Sequence, residues 1–105
     1  MKLHRIVAAC ALSSLALSAQ SAHAFTECQA TVQSMFSGDN GAFYVFFASG
    51  PAGVLYVSDP DRETTVSMAM TALVAGRTVV ARFTANGVDC NSNTIRGDME
   101  GLWLK

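Results

Sequence analysis

Cysteine placement limits this chain more than any other feature. The 105 residues hold three cysteines, Cys10, Cys28 and Cys90, and the first falls inside a segment laid out like an export leader. Lys2 and Arg5 form a short basic start, Ile6 to Leu17 an apolar core, and Ala22-His23-Ala24 a small-x-small cleavage site ahead of Phe25. The apolar run is too short and too serine-rich to span a bilayer as a helix of about 20 residues. Val7-Ala8-Ala9-Cys10 resembles a lipidation box, but only a few apolar residues precede it where an export signal needs roughly 7 to 15, so lipidation is rejected. Residues 1–24 thus read as a cleaved signal peptide and 25–105 as one domain of 81 residues without a membrane span. Such a chain is expected in the periplasm or outside the cell, where its two remaining cysteines oxidise to one bridge. Closing so long a loop stabilises the folded chain by about 4 kcal/mol on chain-entropy reasoning, a large contribution beside the core of so small a domain.

The second constraint is a change of period at Gly76. Val66, Ala69, Met70, Leu73 and Val74 recur at helical spacing, whereas Val79, Ala81 and Phe83 recur every second residue. The spacing predicts one helix with those five residues as its buried stripe, Asp59 as N-cap, Pro60 at the first helical position and Gly76 as the stop. Upstream, Cys28 to Phe36 alternates small or apolar residues with polar ones as a half-buried strand. Ser37-Gly-Asp-Asn-Gly41 is a hairpin turn. Ala42 to Ala48 is a strand apolar on both faces, expected to be covered on both, and Val54 to Val57 a third. Downstream, Arg77 to Thr84 is a fourth strand, and Asn86-Gly87 turns the chain into a polar loop, Asp89 to Asn93. Ile95 to Leu104 forms the last strand, loosened by Gly97 and Gly101.

The resulting order, β-β-β-α-β-β, predicts a mainly β, small α+β domain. Its five-stranded antiparallel sheet curls into a Greek-key barrel with the helix between strands three and four, the OB-fold layout. An α+β meander with the helix on one face is the rival. In the barrel the first and fourth strands pair, which sets Cys28 near Cys90. The export signal, the cysteine pair, the strand order and the passage Thr71-Ala-Leu-Val-Ala-Gly-Arg-Thr-Val-Val-Ala-Arg-Phe83 together resemble small secreted OB-fold proteins similar to the B subunits of bacterial AB-type toxins. The likeness covers nearly all of the domain as a pattern and carries over no sugar-binding motif. It implies a homo-oligomeric ring, commonly five-fold, that binds a cell-surface glycan.

The residues available argue against catalysis. His4 and His23 both lie in the leader, and the domain's one lysine is Lys105. A serine nucleophile would therefore lack an activating base. Asp59, Asp61 and Glu63 are the densest carboxylate group, and helix capping accounts for them. Five basic residues against eight acidic ones give the domain a net charge of −3, without the basic stripe that nucleic-acid binding requires. Asp89 to Glu100 partly fits a calcium-loop register, but Thr94 occupies the glycine position and no helices flank it, so no metal and no cofactor are expected. Arg96-Gly97-Asp98 spells an integrin tripeptide by coincidence.

What remains is recognition. Tyr44, Phe46, Tyr56 and Trp103 are candidate stacking groups, and Asp89, Asn91 and Asn93 offer carboxylate and amide groups to hydroxyls. Phe43, Val45 and Phe47 are core. The chain reads as an exported, non-enzymatic, oligomeric binding module for a glycan or protein surface. The alternative is a periplasmic inhibitor or immunity-type protein that blocks a single partner.

Overall fold

Among the described residues six strands and one helix follow one another as β1 (Thr26–Gly38), β2 (Ala42–Phe47), β3 (Ala52–Leu55), α1 (Arg62–Ala75), β4 (Thr78–Phe83), β5 (Ile95–Arg96) and β6 (Met99–Leu104). The structure is a computed structural model that describes residues 24–105. Apart from Ala24, the expected signal peptide lies outside the described residues.

β1 serves two partners. Its first half pairs antiparallel with β4, from Thr26 opposite Phe83 to Thr31 opposite Thr78. Its second half pairs antiparallel with β2, from Val32 opposite Phe47 to Gly38 opposite Ala42. A register irregularity between Val32 and Ser34 separates the halves, and such a bulge bends the strand and strengthens its twist. It also reverses the parity of the strand. Cys28 and Val32 face the core before it, Met35 packs on the core after it, and Phe36 is turned outward.

The sheet order is β5-β3-β2-β1-β4-β6, so the two outermost strands are consecutive in the chain and joined only by Gly97 and Asp98. Both edges must therefore approach one another, and the sheet curls into a half-barrel. Two expectations are corrected here. There are six strands rather than five, because the last one breaks at Gly97-Asp98. The sheet is also not wholly antiparallel, since β5 runs parallel to β3, with Ala52 opposite Ile95 and Gly53 opposite Arg96. The curl presses β3 onto β6: a methyl group on Gly53 would overlap the Met99 side chain, so a larger residue there displaces Met99 from the crossing. Val45, Leu55, Val79 and Phe83 are fully buried beside Phe47 and Met99 inside the curl.

The helix starts later than its sequence suggests. Asp59 and Pro60 belong to a turn in which Asp59 N–H reaches the Tyr56 carbonyl at 3.0 Å, and Asp59 Oδ1 accepts Asp61 N–H at 3.1 Å. Asp61, not Asp59, is the N-cap, and Pro60 precedes the helix. Gly76 ends it as expected, left-handed at φ 66°, a conformation glycine adopts without cost. The expected buried stripe is the main error. Thr65, Ala69 and Ala72 are buried, Val66 packs at the margin of the core, and Met70, Leu73 and Val74 are exposed. A helix lying close on a curved sheet has room only for small side chains on its inner face.

The expected bridge is present. Cys28 and Cys90 are disulfide-bonded with Cα atoms 5.5 Å apart, which ties the loop after β4 across the start of β1. Among the described residues no helix is long and apolar enough to cross a membrane.

Candidate functional site

The register of the first hairpin builds an aromatic surface. Asp39 and Asn40 at the turn both have positive φ, which places Phe36 opposite Tyr44 and Ser34 opposite Phe46. Alternation sends Val45 and Phe47 inward, so Tyr44 and Phe46 stand on the outer face with Phe36. That face is half-open rather than covered, which corrects the expectation for β2. Phe36, 49% exposed, meets Tyr44 edge-on with ring centroids 5.7 Å apart. Tyr44 stacks on Phe46 at 6.1 Å with an interplanar angle of 7°. Both arrangements are ones that aromatic quadrupoles favour. The Tyr44 hydroxyl donates to Asp39 Oδ2 at 3.1 Å. That bond, then burial and the Asp39 charge, push the phenol pKa above its ordinary value. Tyr56 lies near enough to Tyr44 to add a small push of the same sign, and Tyr56 is itself exposed.

Beyond Phe46 the surface drops into an open groove of about 470 Å³, lined by Gln33, Ser34, Phe46, Asn93, Thr94 and Ile95 among others. Ile95 is 58% exposed and forms the far wall. The lining thus mixes apolar and aromatic groups with amides and hydroxyls able both to donate and to accept. The floor is held by Ala52 N–H donating to the Thr94 carbonyl at 2.8 Å, so the loop before β5 is fixed to the sheet.

Of the residues singled out from sequence, the structure brings Tyr44, Phe46, Tyr56 and Asn93 to this side of the sheet. Asp89 and Asn91 lie elsewhere in the loop. Asp89 Oδ1 accepts Asn91 N–H at 2.9 Å and the Asp89 carbonyl accepts Ser92 N–H at 3.1 Å, so Asp89 shapes its own turn.

Trp103 is on β6, at the other end of the sheet order, and its polar edge is occupied. Trp103 Nε1 donates to Glu27 Oε2 at 2.9 Å, and the same oxygen takes Arg82 Nε at 2.9 Å and Nη2 at 2.8 Å. The Trp103 hydrogen bond, followed by that of Arg82, holds the Glu27 carboxyl below its ordinary value. Arg82 in turn sits over the rings of Phe25 at 4.2 Å and Trp103 at 5.9 Å. This patch is satisfied from within.

Phe36, Ile95, Gln33 and Ser34 were missed from sequence. The signal for Phe36 and Ser34 was available in the hairpin turn: a turn centred on Asp39-Asn40 fixes their partners. Ile95 carried no such signal, because its exposure follows from the short parallel pairing with β3.

Among the described residues no three His, Cys, Asp or Glu side chains converge as metal ligands would. The Arg96 and Asp98 side chains of the integrin-like tripeptide bind each other, Nε to Oδ1 at 2.8 Å. Fold and site together define, among the described residues, a small, disulfide-closed, mostly β domain with one helix and an aromatic outer face. No family model matches the chain, and comparison with curated proteins and with solved structures gives no significant match.

Proposed function

We propose that this chain is an exported, non-enzymatic binding module of OB-like architecture that takes a glycan on the outer face of β2 and in the adjoining groove. The observation that carries it is the Phe36–Tyr44–Phe46 aromatic row running into a cleft bordered by Ser34, Gln33, Asn93 and Thr94. Flat rings suit the C–H face of a sugar, and amide and hydroxyl groups suit its hydroxyls. The OB-like reading is supported by counting β5 and β6 as one strand broken at Gly97-Asp98. That strand then lies parallel to β3 and antiparallel to β4, with the helix between strands three and four. In that architecture the strand 2–3 face and the loops after strands one and four bind ligands, and here those places hold Tyr44, Phe46, Asp39 and Asn93. The same face could stack nucleobases, but Asp39 beside Tyr44 and the −3 net charge oppose a phosphate backbone. The resemblance to toxin B subunits points the same way.

A glycan array followed by calorimetry on the best hit tests this. Phe46→Ala and Tyr44→Ala are each expected to weaken binding about tenfold, a loss of about 1.4 kcal/mol, with Trp103→Ala unchanged. A silent array, or equal losses from all three substitutions, sinks the proposal. Silence combined with capture of one protein that Phe46→Ala abolishes would favour the inhibitor or immunity-type alternative.

A further inference from the structure

The aromatic row of β2 ends at a carboxylate and meets no positive charge. Asp39 is exposed at the hairpin turn, held at positive φ, and receives the Tyr44 hydroxyl on Oδ2. Among the described residues it enters no salt bridge, so its charge is left to the surface. The basic side chains are engaged elsewhere or stand clear. Arg82 and Arg96 pair with Glu27 and Asp98, each at 2.8 Å. Arg62 Nη2 donates to the Gly41 carbonyl at 2.6 Å, but Arg62 borders the groove at Phe43, and alternation puts Phe43 on the side of the sheet opposite Tyr44. No arginine, nor Lys105, lines the cleft beyond Phe46 or acts on the Tyr44 phenol. Arginines do sit over rings in this protein, at Phe25, Trp103 and Phe83. Among the described residues none sits over Phe36, Tyr44 or Phe46.

We infer that the glycan taken on this face is an amino sugar whose nitrogen is unacylated and protonated, with the ammonium at the Asp39–Tyr44 end and the neutral rings along Phe46 into the cleft. This rests on the glycan-binding reading and names the class of glycan. The face of an aromatic ring attracts a cation within about 6 Å of its centroid, and a carboxylate at the ring's edge adds an opposite charge. Both are present at one place. Tyr44 has its hydroxyl on Asp39 and its ring centroid 5.7 Å from that of Phe36 and 6.1 Å from that of Phe46. An ammonium beside Asp39 therefore lies at the rim of the rings on which the sugar stacks. The far end offers Gln33, Ser34, Asn93 and Thr94, which suit hydroxyls and carry no charge. The difference between the two ends sets the ligand's direction. An acidic sugar would instead place its carboxylate or sulfate against Asp39 with no basic side chain to answer it, and an N-acetylated sugar brings no charge at all.

Calorimetry at about pH 6, where carboxylates are ionised and amines protonated, tests this with oligosaccharides of glucosamine and of galactosamine, each beside its N-acetylated form. At least one free-amine form is expected to bind about tenfold more tightly than its acetylated form, the sum of an exposed cation–ring contact and an exposed ion pair. The preference is expected to shrink as salt rises from about 0.05 to 0.5 M. Asp39→Asn keeps a residue that tolerates the left-handed turn and an oxygen for the Tyr44 hydroxyl. It is expected to abolish the preference while leaving the affinity for the acetylated form unchanged, a result that a misfolded site would not give. Equal affinity for the two forms, a preference for acetylated or anionic sugars, or a preference that survives Asp39→Asn overturns the inference. In each of those cases a loss on Phe46→Ala still upholds glycan binding on this face. Binding of neither amine form overturns it as well, and a lysine-rich peptide bound in their place does so in favour of a protein partner.

Discussion

Asp98 accepts hydrogen bonds from Arg96 Nε and Nη2 at 2.8 and 3.1 Å, from Ala85 N–H at 3.1 Å and from the Thr84 hydroxyl at 3.3 Å. Its backbone carbonyl also takes Thr84 N–H at 2.9 Å. One side chain thus fixes the break between β5 and β6 to the end of β4. The Arg96 hydrogen bond, chiefly, holds its carboxyl below the ordinary value against the opposing effect of burial. Replacing Asp98 by alanine leaves the partly buried Ala85 N–H without its acceptor, and such a loss costs about 2 kcal/mol, measurable as a lowered urea midpoint. The pH dependence has a definite sign. A carboxylate whose folded pKa is depressed contributes stability above its unfolded value and loses it as pH falls through the folded one. Asp98, together with Glu27, should therefore make the chain less stable as pH drops from about 5 to 3, the range in which unfolded carboxylates protonate. In Asp98→Ala that acid loss should be smaller than in the parent, and an identical pH profile would assign the loss elsewhere.

The helix shows what an element's sequence does and does not reveal. Its stop at Gly76 and the strand that follows were legible, because a left-handed residue and a change of apolar period leave local marks. Which face is buried was not. Val66, Met70, Leu73 and Val74 outweigh Thr65, Ala69 and Ala72 on any hydrophobicity count, yet the curved sheet admits only the smaller set. The N-cap was misplaced for a related reason: Asp59 followed by Pro60 is a good local start signal, but the turn back to Tyr56 takes up Asp59 and the helix starts after Asp61. In β1 the irregularity after Val32 likewise turns Phe36 outward, against the alternation that begins at Cys28. Tyr44 and Phe46 of the candidate site could be read from the strand pattern, while the rest depended on that bulge and on the short pairing of β5. If the inner face of α1 is as close-packed as its small residues imply, Ala69→Leu will overfill it and lower stability by about 1 to 3 kcal/mol. Met70→Ala, on the outer face, should change the stability of the single chain by less than about 0.5 kcal/mol. Thermal unfolding of the two variants at low concentration distinguishes the faces, and a reversed order would restore the stripe first read from the sequence.

At the scale of the whole molecule, two devices hold the curl. One is hydrogen bonding: β5 reaches β3 for only two residue pairs, whereas β6 lies along most of β4, so the seam at β3 is the weaker. The other is covalent. Cys28 sits in the strand that pairs with both halves of the sheet, and Cys90 lies in the loop that leads from β4 to the weak seam. The bridge was legible because the two cysteines outside the expected leader leave one pairing. The parallel β3–β5 contact was not, since a two-residue strand has no period. The disulfide therefore restrains the long segment whose end must find β3. Chain entropy assigns the bridge about 4 kcal/mol, against a total of about 5 to 15 kcal/mol for a typical folded chain. With a urea dependence of about 1 kcal/mol per molar for a chain this small, reduction should lower the midpoint by about 4 M or unfold the protein outright. Urea titrations with and without reductant, followed by tryptophan fluorescence from Trp103, measure the difference. A shift below about 1 M would mean that the hydrogen-bonded seams hold the curl without the sulfur link.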